Sequence, residues 1–205
     1  MVFELNEVPH VLPIDFKTIQ VFKMVVNGFN ITPWLVGEYL MVPRLYLQLG
    51  VNNIGVYYKN ELDNDGLGCC MFIDESDPAT DRYYTYTQFE PHSAHRLFPC
   101  FDQPDLKATM SMNVIFPTGW VAVSNETNSF TGNFSSGTYT PRVPTSVSKL
   151  LPTYLIGKTG RFSTFVRTQL LPTYLYALAC GNYVSIALED TKRYNVLFLL
   201  HRTFQ

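Results

Sequence analysis

The sequence predicts an all-β protein, a sandwich or a curved pair of mostly antiparallel sheets. Short apolar runs separated by turn residues recur from end to end. No window of 12 or more residues holds a helical period. Aromatics reach 15%, with 13 tyrosines and 15 phenylalanines, and such side chains favour a pleated, half-buried surface over a helix.

Taken in order, Ile19–Val26 (IQVFKMVV) reads as a strand ending at Asn27-Gly28, a strong hairpin turn, with apolar residues resuming at Phe29. Leu45–Tyr58 alternates in two pieces around Asn52-Asn53. The clearest strand is Lys107–Phe116, with Ala108, Met110, Met112, Val114 and Phe116 on one face and Thr109, Ser111 and Asn113 on the other. Pro117-Thr118-Gly119 then turns the chain into Trp120–Ser124, a predicted antiparallel partner. Asn125–Thr140 is rich in Ser, Thr, Asn and Gly and reads as a polar hairpin or loop. The hexapeptide LLPTYL stands at Leu150–Leu155 and again at Leu170–Leu175, either a local duplication or two like strands at neighbouring sheet edges; two copies are too few for a solenoid.

With 205 residues the chain suits one domain with its own core, or one domain and a small appendage. Apolar residues at 46% and charged residues at 16% exclude a disordered chain. A net charge of −2 without a basic stripe excludes a phosphate-neutralising surface, so nucleic acid is not an expected partner. The longest apolar run, Tyr174–Cys180, is far below the ~20 residues of a membrane helix, and MVFELNEVPH carries acids and a proline where a signal peptide is expected to have a basic end and an apolar run. Compartment stays open. Sequons at Asn30, Asn125 and Asn133 point outward; Cys69, Cys70, Cys100 and Cys180, read as small buried hydrophobes, lean toward the cytoplasm.

Few clusters suggest chemistry. Asp63-Asn64-Asp65-Gly66 resembles a calcium loop until Phe72 falls where a bidentate glutamate is needed, so an Asx-rich turn is expected. Asp74-Glu75-Ser76-Asp77 is expected to be a solvated acidic loop. His92, His95 and Cys100 have the spacing H-x-x-H-x4-C, which matches no common zinc site, so no metal is expected in this chain. Without H-E-x-x-H or a supported nucleophile–base pair, no catalytic residue is expected here either.

One segment stands apart. Thr87–Pro91 (TQFEP), a spacer, and Phe98–Thr109 (FPCFDQPDLKAT) closely resemble the amino-terminal domain of zinc aminopeptidases of the aminopeptidase N type. Val25–Gly28, Leu62–Gly66, Trp120–Asn125 (WVAVSN) and Leu171–Gly181 (LPTYLYALACG) follow that domain's order. The resemblance implies a curved β-saddle over residues 1–190, with 191–205 as a last strand or the start of a link to a catalytic domain absent from this chain. It implies that the catalytic domain binds the zinc and carries G-x-M-E-N, that the substrates are peptides with a free amino terminus, and that the chain is a fragment or truncated product. It assigns substrate binding to Glu90 and Gln88. Two residues apart on an extended strand, they would share a face with Phe89 turned into packing. Phe98, Cys100 and Phe101 are expected in the core, with Asp102 capping a turn or pairing with Arg96. The alternative is a non-enzymatic β-sandwich binding module, a decayed copy, or a regulator pairing with a full-length homologue.

Overall fold

A computed structural model describes residues 1–75, 83–135, 159–189 and 195–200. In chain order the strands are β1 (Val2–Leu5), β2 (Val11–Asp15), β3 (Gln20–Val26), β4 (Phe29–Ile31), β5 (Leu35–Val36), β6 (Tyr39–Pro43), β7 (Gly50–Lys59) and β8 (Gly68–Ile73). Then follow β9 (Tyr83–Gln88), β10 (Asn113–Phe116), β11 (Val121–Ser124), β12 (Asn128–Ser135), β13 (Thr159–Phe165), β14 (Leu178–Gly181), β15 (Val184–Glu189) and β16 (Asn195–Leu200). The fold is all-β, its strands paired antiparallel. Among the described residues the only helical pieces are three-residue 3-10 turns.

The chain forms two compact units. The first comprises Met1–Cys70, Thr87–Ala108 and Leu171–Tyr176. There the sheet β1-β7-β3-β4 and the sheet β2-β6-β5 share one core. Ile14 from β2, Met24 and Val26 from β3, Leu40 and Val42 from β6, and Ile54 from β7 meet in it beside Phe16. Each such side chain contributes roughly 1.5–3 kcal/mol of gross hydrophobic stabilisation. The β3–β4 hairpin closes at Asn27-Gly28 as the sequence predicts, with φ of 49° and 89° at the two positions.

Leu45–Tyr58 departs from the expected two strands. A 3-10 turn at Arg44–Tyr46 precedes a single strand, β7, which runs unbroken through Asn52-Asn53. Asn52 is fully buried, and its amide is satisfied within the fold. Its Oδ1 accepts the Gln48 N–H at 3.0 Å and Asn27 Nδ2 at 2.9 Å, while its Nδ2 donates to the Gln48 and Gly50 carbonyls. A polar pair that looks like a break therefore sits inside a strand because the turn before it supplies partners.

The second unit comprises Met71–Tyr86, Thr109–Leu170 and Ala177–Gln205. Here the sheet β10-β13-β12 and strands of the sheet β11-β14-β9-β8 share a core of Phe116, Ala122, Phe165 and Cys180, with Met112, Val114 and Trp120 against it. This corrects the expected pairing of Lys107–Phe116 with Trp120–Ser124. The turn at Pro117–Trp120, with Gly119 at φ 91°, carries the chain from one sheet to the facing one, so β10 and β11 meet by side-chain packing instead of hydrogen bonding. Only Asn113–Phe116 of the predicted strand is regular, paired with β13; Asn128–Ser135 is a strand too, because it takes the other edge of β13. The second LLPTYL copy is a bridge at Leu171 followed by a 3-10 turn at Thr173–Leu175, which removes the reading of two like strands; the first copy lies outside the described residues.

Candidate functional site

The segment that carries the family resemblance begins where β9 ends. Gln88 is the last residue of β9 and is exposed; Phe89 is 2% exposed; Glu90 is exposed in the turn that follows. The predicted alternation of environment holds, although Glu90 lies on a turn and not on a strand. The Phe89 ring meets Phe98 edge-on at 5.9 Å, and the Phe89 carbonyl accepts the Ser93 N–H at 2.7 Å. Burial of one aromatic thus leaves the amide and the carboxylate on either side of it open to solvent. The Glu90–Pro91 peptide is cis, and a 3-10 turn at Ala94–Arg96 follows.

Behind this turn lies a polar group that the sequence reading did not assemble. Asp102, 6% exposed, accepts from His95 Nδ1 at 2.7 Å, from the His95 backbone N–H at 3.2 Å and from Thr173 Oγ1 at 2.6 Å. The Asp102 N–H in turn donates to the Asp15 carboxylate at 3.0 Å. Of the two expectations for Asp102, it does bond to a turn, accepting the His95 N–H of the 3-10 turn, whereas the pair with Arg96 does not form. Arg96 instead reaches Asp63 at 3.1 Å and Asp65 at 2.8 Å, because the 3-10 turn points residues 95 and 96 to different neighbours. Asp63–Gly66 is the Asx-rich turn expected, with the Leu67 N–H donating to Asp65.

The side chains weighed for zinc are spoken for. His95 holds Asp102 through Nδ1 and faces Glu38 through Nε2 at 3.5 Å; His92 lies edge-on to the His95 ring at 5.9 Å. Cys100 is buried, and that burial pushes its thiol well above the usual range, which is the wrong direction for a thiolate ligand. Among the described residues no group of three His, Cys, Asp or Glu is placed to hold a metal ion, and no helix is long and apolar enough to cross a membrane.

The hydrogen bond to Asp102 raises the His95 pKa above its ordinary 6.5; burial opposes this, and the charges of Asp102, Glu38 and Asp15 add to the rise. For Asp102 burial pushes upward, but the bonds from His95 and Thr173 prevail and hold it below its ordinary 3.8. The native state therefore favours the imidazolium. Its stabilising contribution is present below about pH 6.5 and is lost as pH rises through the raised native pKa. On the acid side the pair loses strength when Asp102 protonates. The stability gap between wild type and His95→Ala is thus expected to be widest between about pH 4 and 6.5 and to narrow above it. Denaturant midpoints measured across pH test this, and a gap that widens toward alkaline pH contradicts it.

The sequence profile described as Peptidase M1 N-terminal domain matches residues 44–155, more than half of the chain. The chain belongs to that family. Aminopeptidase N of Streptomyces lividans is 34% identical over 139 residues, covering 67% of this chain and 16% of the relative. Aminopeptidase Q of Acinonyx jubatus is 30% identical over 140 residues, covering 68% and 12%. Aminopeptidase M1 of Arabidopsis thaliana is 54% identical over 39 residues, covering 19% and 4%. The chain thus spans only 12–16% of the length of the first two relatives. Gln88–Glu90, His95 and Asp102 lie within the matched region, while Asp15 and Thr173 lie outside it.

Proposed function

We propose that this chain is the amino-terminal substrate-recognition and scaffold domain of a zinc-dependent aminopeptidase, in which Glu90 receives the α-ammonium of the peptide and Gln88 adds neutral hydrogen bonds beside it. The reading is carried by the exposed Gln88 and Glu90 flanking a buried Phe89 within the M1-matched segment. Zinc and hydrolysis belong in this reading to a separate catalytic domain, and residues 1–190 form the β-domain. The pairing of β16 with β15 supports 191–205 as a last strand more than as a link.

An aminopeptidase must tell a free amino terminus from an internal peptide bond. The α-amino group, with a pKa of about 7.7–8.0, is largely cationic at neutral pH. A carboxylate about 4 Å away gains roughly 4 kcal/mol gross at an effective dielectric of 20, before desolvation is subtracted. An internal amide offers no charge, so binding it would leave the carboxylate desolvated and unpaired at a cost of roughly 1–3 kcal/mol or more. One acid on a fixed turn therefore reads the end of a chain. In the full-length enzyme Glu90→Gln is expected to lower kcat/KM for free-amino peptides by about tenfold or more, equal to about 1.4 kcal/mol of lost transition-state stabilisation, with metal content unchanged. Wild-type kinetics in that variant would remove Glu90 from the site.

A further inference from the structure

We propose that the His95–Asp102 pair, closed by Thr173 and Asp15, is a positioning device that holds the Glu90 turn where a substrate ammonium can meet it; this rests on the reading of Glu90 above. Glu90 lies beyond the end of β9, so no ladder hydrogen bonds of that strand fix its backbone. Yet charge recognition needs placement, since a misplacement of about 1 Å can cost on the order of 100-fold in rate. On the upstream side Phe89 is anchored against Phe98. On the downstream side the chain is anchored at His95.

That anchor is dense. The His95 carbonyl accepts the Lys17 N–H at 2.9 Å, its N–H and Nδ1 both reach Asp102, and its Nε2 faces Glu38. Asp102 is fixed from two further directions, by Thr173 Oγ1 at 2.6 Å and through its own N–H on Asp15 at 3.0 Å. Asp15 also forms a backbone bridge with Cys100. Four stretches of chain, around residues 15, 95, 102 and 173, therefore converge on Asp102, whose partner His95 lies five residues after Glu90. A buried ion pair adds little net stability over an apolar packing of equal volume, so geometric definition is the better account of this one. His95 and Asp102 touch no substrate in this scheme. They act through the turn.

The variants are His95→Ala, Asp102→Asn, and His95→Asn, whose side-chain N–H can stand where Nδ1 donates. In the 205-residue chain, His95→Ala and Asp102→Asn are expected to speed amide hydrogen exchange at residues 92–98 at least tenfold, with exchange in the β3–β7 ladder little changed. In the full-length enzyme they should raise KM for a free-amino peptide about five- to tenfold while kcat moves less than twofold, and His95→Asn should recover most of both effects. A merely stabilising role predicts another pattern: a smaller folded fraction lowers apparent kcat and leaves KM alone. If His95→Ala fails to fold, the near-isosteric Asp102→Asn carries the test. Unchanged exchange with unchanged KM, or a loss confined to kcat, overturns the proposal while a damaging Glu90→Gln leaves the recognition reading standing. Silent Glu90→Gln kinetics overturn both.

Discussion

Phe16→Ala is expected to lower the stability of the first unit by about 3–5 kcal/mol, enough to remove much of a typical domain's margin. Phe16 is fully buried, with Ile14, Met24, Val26, Leu40, Val42 and Ile54 in the same cluster. Its ring meets Tyr58 edge-on at 4.8 Å, so truncation removes transfer energy, leaves a cavity and discards an aromatic pair. The consequence reaches the candidate site. Tyr58 donates its hydroxyl to the Leu97 carbonyl at 2.6 Å, and burial pushes its phenol up to about 12, so it stays a donor. The residues beside Phe16 act on the same turn: Asp15 accepts from Asp102, and the Lys17 N–H reaches His95. The denaturant midpoint, read by a probe in the first unit such as Tyr58, checks the prediction. A loss under about 1 kcal/mol would mean the core closes over the gap, and the claim that it braces residues 95–97 would fall with it.

How much of this was legible beforehand depended on how local each cause is. The Asn27-Gly28 hairpin and the Asx turn at Asp63–Gly66 were readable because a few adjacent residues decide them. The alternation predicted over Lys107–Phe116 was legible only in part: Met110, Met112, Val114 and Phe116 are at least half-buried, but Ala108 on the same predicted face is exposed. Gln88 and Glu90 are proposed through their motif and not through chemistry, since an exposed glutamate before a proline has no distinctive physics of its own. What stayed hidden were choices among distant partners. Asp102 could pair with Arg96 or His95, and the answer was set by Asp63 and Asp65, more than thirty residues upstream, claiming the guanidinium. Likewise the turn at Pro117–Trp120 can close a hairpin or change sheets; β13 and β14, more than forty residues later, decide by pairing with β10 and β11 separately. Thr173 was hidden for another reason: the LLPTYL repeat drew notice as a strand, while one hydroxyl in its second copy closes the Asp102 group.

Gly68→Ala is expected to cost about 2–5 kcal/mol, and Gly66→Ala, two residues away, only about 1–2. Both glycines have positive φ, 84° at Gly66 and 82° at Gly68, so an L side chain is strained at either. They differ in what a methyl group would meet. At Gly66 nothing lies within 4 Å, whereas at Gly68 a Cβ would overlap the Asp63 carboxylate and stand 3.0 Å from the Cβ of Arg96. Asp63 cannot yield cheaply, because its carboxylate holds Arg96 at 3.1 Å and accepts the Cys69 N–H at 3.3 Å. Nor can Arg96 retreat freely, being the last residue of the 3-10 turn after Glu90, with its carbonyl taking the Asn60 amide at 2.6 Å. The two variants thus share the backbone penalty, and their difference isolates the packing of one glycine beneath the Asp63–Arg96 pair. Matched denaturation curves measure it. Equal losses would show that the pair shifts aside without cost and does not help to hold the turn that presents Glu90.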